Sequence, residues 1–214
     1  MSARPTLIIG TKQFSSWSLR PWLAAKMAGI AFEEVVIALR QPDTKAKISK
    51  HSPSGKVPCL IDADLAVWDS LAICEYLAEQ VPSLWPEDRA ARAVARAVSA
   101  EMHSGFQNLR NLCSMDVLSD LPMAEIAPEL APEIARINAM WTDCRTRFGL
   151  SGPFLFGRFS VADAMYAPVV TRFKTYHLPL ESVPAAYAGA VMALPAMAEW
   201  IEAATIGSKA SPSA

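Results

Sequence analysis

Over the first eighty residues the spacing of apolar positions changes repeatedly. Leu7, Ile8 and Ile9 form a continuous apolar run closed by Gly10, the pattern of a buried strand. From Leu19 the period lengthens, and Leu19, Trp22, Leu23 and Met27 recur at helical spacing. Ser15 and Ser16 fall at the turn between the two, where a helix leaves its first N–H groups free and its dipole is positive. Residues 32–39 (FEEVVIAL) begin polar and end apolar and predict a second strand, parallel to the first because a helix connects them. The stretch to Lys56 is polar and rich in breakers, with one helical turn over 44–49. Residues 57–62 predict a third strand, and 65–68 a fourth that pairs with it as a hairpin across Ala63 and Asp64. Residues 70–79 place Leu71, Cys74 and Leu77 on one helical face, with Ser70 as its cap.

After Trp85 no strand pattern returns. An alanine-rich, charged helical pattern runs through residue 112, and further helices are predicted over 132–148, 161–176 and 195–204. Pro82 and Pro86 forbid a continuous helix across the change of character. The divisions expected are 1–80, a linker over 81–86, a helical unit over 87–206, and a small, polar, disordered tail over 207–214. A βαβ unit followed by ββα has the thioredoxin-like order. The fold expected is an α/β N-terminal thioredoxin-like domain followed by an all-α C-terminal helical domain.

Composition narrows the function more than the fold. The 214 residues carry 20 lysines and arginines against 21 acids, a net charge of −1, without a basic run interleaved with aromatics; nucleic acid is not an expected partner. The apolar run near the N-terminus is too short for a signal peptide, and no segment is long enough to span a bilayer, so a cytoplasmic protein with no membrane partner is expected. Cys59, Cys74, Cys113 and Cys144 are widely spaced and have no histidine cluster beside them, which argues against a disulfide framework or a metal site.

Three places carry candidate chemistry. The serines at 15 and 16 can hold an anion or a thiolate at a helix N-terminus. Pro58 opens a strand without a donor, and a cis Val57–Pro58 peptide is expected there, leaving the Val57 N–H and C=O for an extended peptide. Asp69 and Ser70 open another helix, the serine suited to a carboxylate and the aspartate to an ammonium group. A thiol site, a peptide clamp and an amino-acid head-group site together match the parts of glutathione.

The segments SSWSLR, SGKVPCL, WDSLAICEYL, LWPEDRAARA and FSVADAMYAPVV, in this order, resemble a cytosolic glutathione S-transferase over roughly residues 6–204. SSWSLR most resembles the serine-type zeta class, in which Trp17 stands where a cysteine is usual; SGFQNLRNL is similar to that class as well. In SVAD, Ser160 and Asp163 form a capping box at the start of a core helix. The resemblance implies glutathione as co-substrate, no metal, a small electrophilic substrate and a homodimer. It implies Ser15 as donor to the thiolate, with Ser16 as the alternate, and Trp17, Lys56, Val57, Pro58, Asp69 and Ser70 as glutathione-binding. The electrophile is expected against Arg20, His103, Phe106, Gln107, Arg110 and Arg172, with His103, Gln107 and Arg110 sharing one face of a helix over 102–112. A glutathione transferase is the leading expectation. Zeta-type maleylacetoacetate isomerase, glutathione-dependent peroxidase and a non-catalytic interaction or carrier module remain open beside it.

Overall fold

The computed structural model describes residues 4–210. Its first part runs β1 (Thr6–Gly10), α1 (Ser16–Met27), β2 (Glu33–Ile37), α2 (Thr44–Ser49), β3 (Cys59–Asp62), β4 (Leu65–Trp68) and α3 (Ser70–Gln80). The strands form one mixed sheet in the order β2-β1-β3-β4, with β1 parallel to β2 and antiparallel to β3. Covering on both faces explains the unbroken apolar run of β1. Leu7 and Ile9 enter the main core with Leu19, Leu23, Ile73 and Leu77, while Ile8 packs on the other face with Ile37, Ile48 and Cys59. Each such buried side chain contributes about 1.5–3 kcal/mol of transfer free energy.

The second part holds α4 (Arg89–Ser104), α5 (Gln107–Leu112), α6 (Ala131–Phe148), α7 (Val161–Tyr176), α8 (Ser182–Met192) and α9 (Pro195–Ala210). α7 is its axis: nearly every residue from Val161 to Phe173 is buried, and it packs on α1, α4 and α8. Its entry is the capping box that SVAD predicts, in which Asp163 Oδ2 accepts from the Ser160 amide at 2.8 Å and from the Ser160 hydroxyl at 3.0 Å. Asp163 Oδ1 also accepts from the Leu155 amide at 3.1 Å, so the same carboxylate ties the preceding loop to the helix. The Trp200 indole of α9 donates to the Lys12 carbonyl at 2.8 Å, and Lys12 pairs with Glu34 at 2.7 Å, joining the last helix to the sheet.

Several expectations need correction. The predicted helix over 102–112 is two helices, broken where Phe106 takes a left-handed conformation at φ 58°. Arg110 stabilises the break by donating to the carbonyls of Met102, His103 and Gly105, groups that the end of α4 leaves without helical partners. Glu133 accepts from the amides of Asn108 and Leu109 and so satisfies the start of α5. The sequence pattern does not predict α8, because Pro184 and Gly189 blur its helical period. Helix α9 continues through Ala210, so the tail is helical over 207–210; the remainder of the expected disordered tail lies outside the described residues. β3 begins at Cys59 rather than residue 57, because Pro58 has no N–H for the ladder.

Candidate functional site

A cavity of about 580 Å³ lies at the end of the sheet, walled by Trp17, Ser54, Lys56, Val57, Pro58, Trp68, Asp69 and Ser70. Each wall comes from a different local cause. The Val57–Pro58 peptide is cis and precedes the ladder, so Val57 stands outside the sheet hydrogen bonds that begin at Cys59. Asp69, not Ser70, is the N-cap of α3: at φ 78° its side chain turns to accept from the amides of Leu71 at 2.9 Å and Ala72 at 3.3 Å. The Ser70 hydroxyl is thereby released from capping and accepts from Arg20 Nη1 at 3.3 Å.

The structure thus brings Trp17, Lys56, Val57, Pro58, Asp69 and Ser70 to one cavity, while Ser15 and Ser16, both buried at the start of α1, are not among its wall residues. Ser15 is the N-cap residue, but its hydroxyl donates to Ser18 Oγ at 2.7 Å instead of capping the helix. Ser18 Oγ accepts also from the Gly10 amide at 3.1 Å, which ties the start of α1 to the end of β1. Among the described residues, no side-chain hydrogen bond engages the Ser16 hydroxyl.

Trp17 is 36% exposed and has two guanidinium groups over its ring, Arg20 at 4.2 Å and Arg110 at 4.7 Å from the ring centre, with the His103 ring edge-on at 5.3 Å. His103 Nε2 stands 3.2 Å from Asp69 Oδ2, so α4 reaches the mouth of the cavity. Phe106 and Gln107 do not join this group. Phe106 is packed in the core at the helix break, and the Gln107 amide donates to the Ser104 carbonyl at 3.2 Å. Arg172 is buried and donates to the carbonyls of Cys113 and Pro168, acting on the site through its charge. Ser54 and Trp68 are wall residues that sequence patterns do not single out; for each the available signal is adjacency, to the VP pair and to Asp69.

Burial pushes the His103 imidazole below its ordinary value; Asp69 opposes the shift, and Arg20 and Arg110 reinforce it. His103 is therefore neutral at neutral pH. A base whose folded pKa is depressed contributes stability above its unfolded value of about 6.5, and that contribution is lost as the pH falls through the folded value. Thermal melts between about pH 7 and pH 5 should accordingly show a smaller acid-side drop for His103→Gln than for the wild type; equal drops would exclude His103 as the titrating group.

A thioredoxin-like sheet with a cis-proline strand entry and a serine-opened helix, followed by a helical domain, defines the fold class of the glutathione transferases. Residues 14–80 match the family model "Glutathione S-transferase, N-terminal domain", and residues 124–203 match "Glutathione S-transferase, C-terminal domain". The chain is 30% identical over 191 residues to a maleylacetoacetate isomerase of Rattus norvegicus, covering 86% of this chain and 84% of the relative. It is 35% identical over 118 residues, 54% of each chain, to a probable maleylacetoacetate isomerase of Caenorhabditis elegans. A solved glutathione transferase homologue from Burkholderia, with bound glutathione, superposes with a TM-score of 0.71 at 20% identity, covering 95% of this chain and 99% of that one. The chain belongs to the glutathione S-transferase family and is a zeta-like, glutathione-dependent enzyme. Among the described residues there is no cluster of potential metal ligands and no helix long and apolar enough to cross a membrane.

Proposed function

We propose that this enzyme activates the glutathione thiol with a serine and directs it at a small acidic electrophile. The observation that carries the reading is the cavity where Lys56, Val57, Asp69 and Ser70 converge at the N-terminus of α3. Bound there, glutathione supplies the nucleophilic sulfur. Val57 offers unpaired backbone to the cysteinyl unit, Lys56 faces the glycine carboxylate, and Ser70 with the α3 dipole holds the glutamyl carboxylate. Asp69 keeps one oxygen toward the cavity mouth, suited to the glutamyl ammonium.

Ser15 is the proposed thiolate donor. Its proton faces Ser18, but rotation of the two hydroxyls reverses that bond: Ser18, still accepting from Gly10, donates to Ser15 and frees the Ser15 proton for the sulfur. Ser16, with its hydroxyl not engaged, is the alternate donor. The acidic character of the electrophile rests on Arg110 above Trp17 and on the charge of Arg172 behind it. Isomerisation of maleylacetoacetate is the second reading, favoured by the rat relative, and Trp17 then narrows the pocket where the zeta class carries cysteine. A homodimer is proposed as well, with the exposed Leu65 and Trp68 of β4 supplying apolar surface. Free cysteines throughout fit a reducing, cytoplasmic location.

Calorimetry with glutathione tests this directly. The wild type should bind in the micromolar to low millimolar range, and Ser70→Ala should weaken binding at least about tenfold, the effect of losing a hydrogen bond to a charged group. Failure of the wild type to bind would remove the glutathione reading and leave a non-catalytic module.

A further inference from the structure

Arg20 is the most unusual side chain near the cavity. Its guanidinium is 0% exposed, yet among the described residues its Nε and Nη2 have no hydrogen-bond partner. The one bond it makes, from Nη1, goes to Ser70 Oγ, itself 1% exposed. Asp69, next to Ser70, does not pair with it, because Oδ1 caps α3 and Oδ2 faces His103. Burial, reinforced by Arg110 and Arg172, pushes the Arg20 pKa down to about 9, so the group stays charged at neutral pH. A buried cation with unsatisfied donors is costly unless something anionic completes it. Trp17 closes one face of the guanidinium at 4.2 Å, and Ser70 stands between it and the cavity.

We propose that Arg20 is a positioning residue for the anionic head group of the tripeptide, acting through Ser70. By donating to the inner side of the Ser70 oxygen, it turns the Ser70 proton toward the cavity, the polarity a carboxylate requires. Its charge, carried in a low-dielectric setting directly behind that hydroxyl, is neutralised when the carboxylate arrives. The inference rests on the glutathione reading and assigns Arg20 to the head-group end of the site rather than to the electrophile.

The test is calorimetric titration at about pH 7 with two ligands: glutathione, and γ-aminobutyryl-cysteinyl-glycine, which is glutathione without the glutamyl α-carboxylate. Wild type, Arg20→Met and Ser70→Ala are compared. In the wild type, removing the carboxylate should weaken binding about tenfold. Arg20→Met, neutral and of similar length, should bind glutathione about tenfold more weakly and bind both ligands alike. The double variant should bind glutathione no more weakly than the weaker single one, since both changes break the same unit. A variant that merely loosened the packing would lose affinity for both ligands equally, and that result overturns the proposal. Preserved discrimination in Arg20→Met overturns it too. Should Arg20→Met fail to fold, Arg20→Gln takes its place: equal binding of the two ligands supports the role of Arg20, and preserved discrimination overturns it. A wild type that binds glutathione without discriminating between the ligands removes the head-group roles of both Arg20 and Ser70 while leaving glutathione binding in place; one that binds neither removes the glutathione reading itself.

Discussion

Ser15→Ala should slow conjugation of a small electrophile about tenfold in kcat/KM near pH 6.5, with the deficit gone by about pH 9.5. A free thiol titrates near about 8.5, and a helix N-terminus with one donated hydrogen bond can bring it to about 6.5. Because the helix N-terminus remains, loss of the donor lowers the ionised fraction near pH 6.5 from about a half to no less than about one in a hundred, the value of a free thiol. The more basic thiolate is intrinsically the better nucleophile, which returns part of the loss and leaves the net effect near tenfold. Above both values the sulfur is ionised in either protein, so the ratio of rates must close as the pH rises. A constant ratio across the range would mean that Ser15 positions the sulfur without stabilising its charge. Ser16→Ala is the companion measurement: a pH-dependent loss there, and none in Ser15→Ala, would exchange the two roles. Because Ser15 is also bonded to Ser18, both variants need a thermal midpoint beside the kinetics.

Asp163→Ala should lower stability by about 3 kcal/mol, since it removes one half of a capping box and strands two buried amides. For a chain of this size that corresponds to a fall of about 10 °C in the thermal midpoint. The donors involved are the Leu155 and Ser160 amides, at the loop and the cap that seat the central helix. Burial pushes the Asp163 carboxyl up from 3.8 to about 6, outweighing the hydrogen bonds that favour its charged form. A carboxyl raised in the fold contributes stability fully below its unfolded value and loses that contribution as the pH climbs through about 6. Asp163→Asn keeps an acceptor for one of the two amides and cannot titrate. It should therefore be milder than the alanine change, and the wild type should lose stability relative to it between about pH 4 and pH 7. Parallel pH profiles for the two proteins would show that the carboxyl does not titrate in that window.

The organisation of the molecule was legible because it rests on local rules. Strand and helix periods, a proline without a donor before β3, and a serine and an aspartate three residues apart at the start of α7 each constrain the backbone within a few residues. The same rules account for four residues of the cavity wall, because VP and DS fix where a strand enters and where a helix opens; Trp17 and Lys56, which the resemblance implied, line it as well. They failed where a distant group decided the outcome. The pattern over 102–112 is helical throughout, and only Arg110 and Glu133, by satisfying the carbonyls and amides exposed at a break, make two helices the better solution.

By itself, then, the sequence determined the order of elements in the sheet domain, the change to a helical domain after it, and the residue types available for glutathione. Tertiary structure decided which atoms of those residues are free. Asp69 caps α3 and so releases Ser70, Arg20 donates to that hydroxyl, and Ser15 donates to Ser18. Those choices depend on contacts as distant as fifty residues in the chain, between Arg20 and Ser70. Residue spacing carries the periodicity of one element; it carries nothing about which hydrogen-bonding group of another element will meet it, and that meeting sets the direction of every proton in the site.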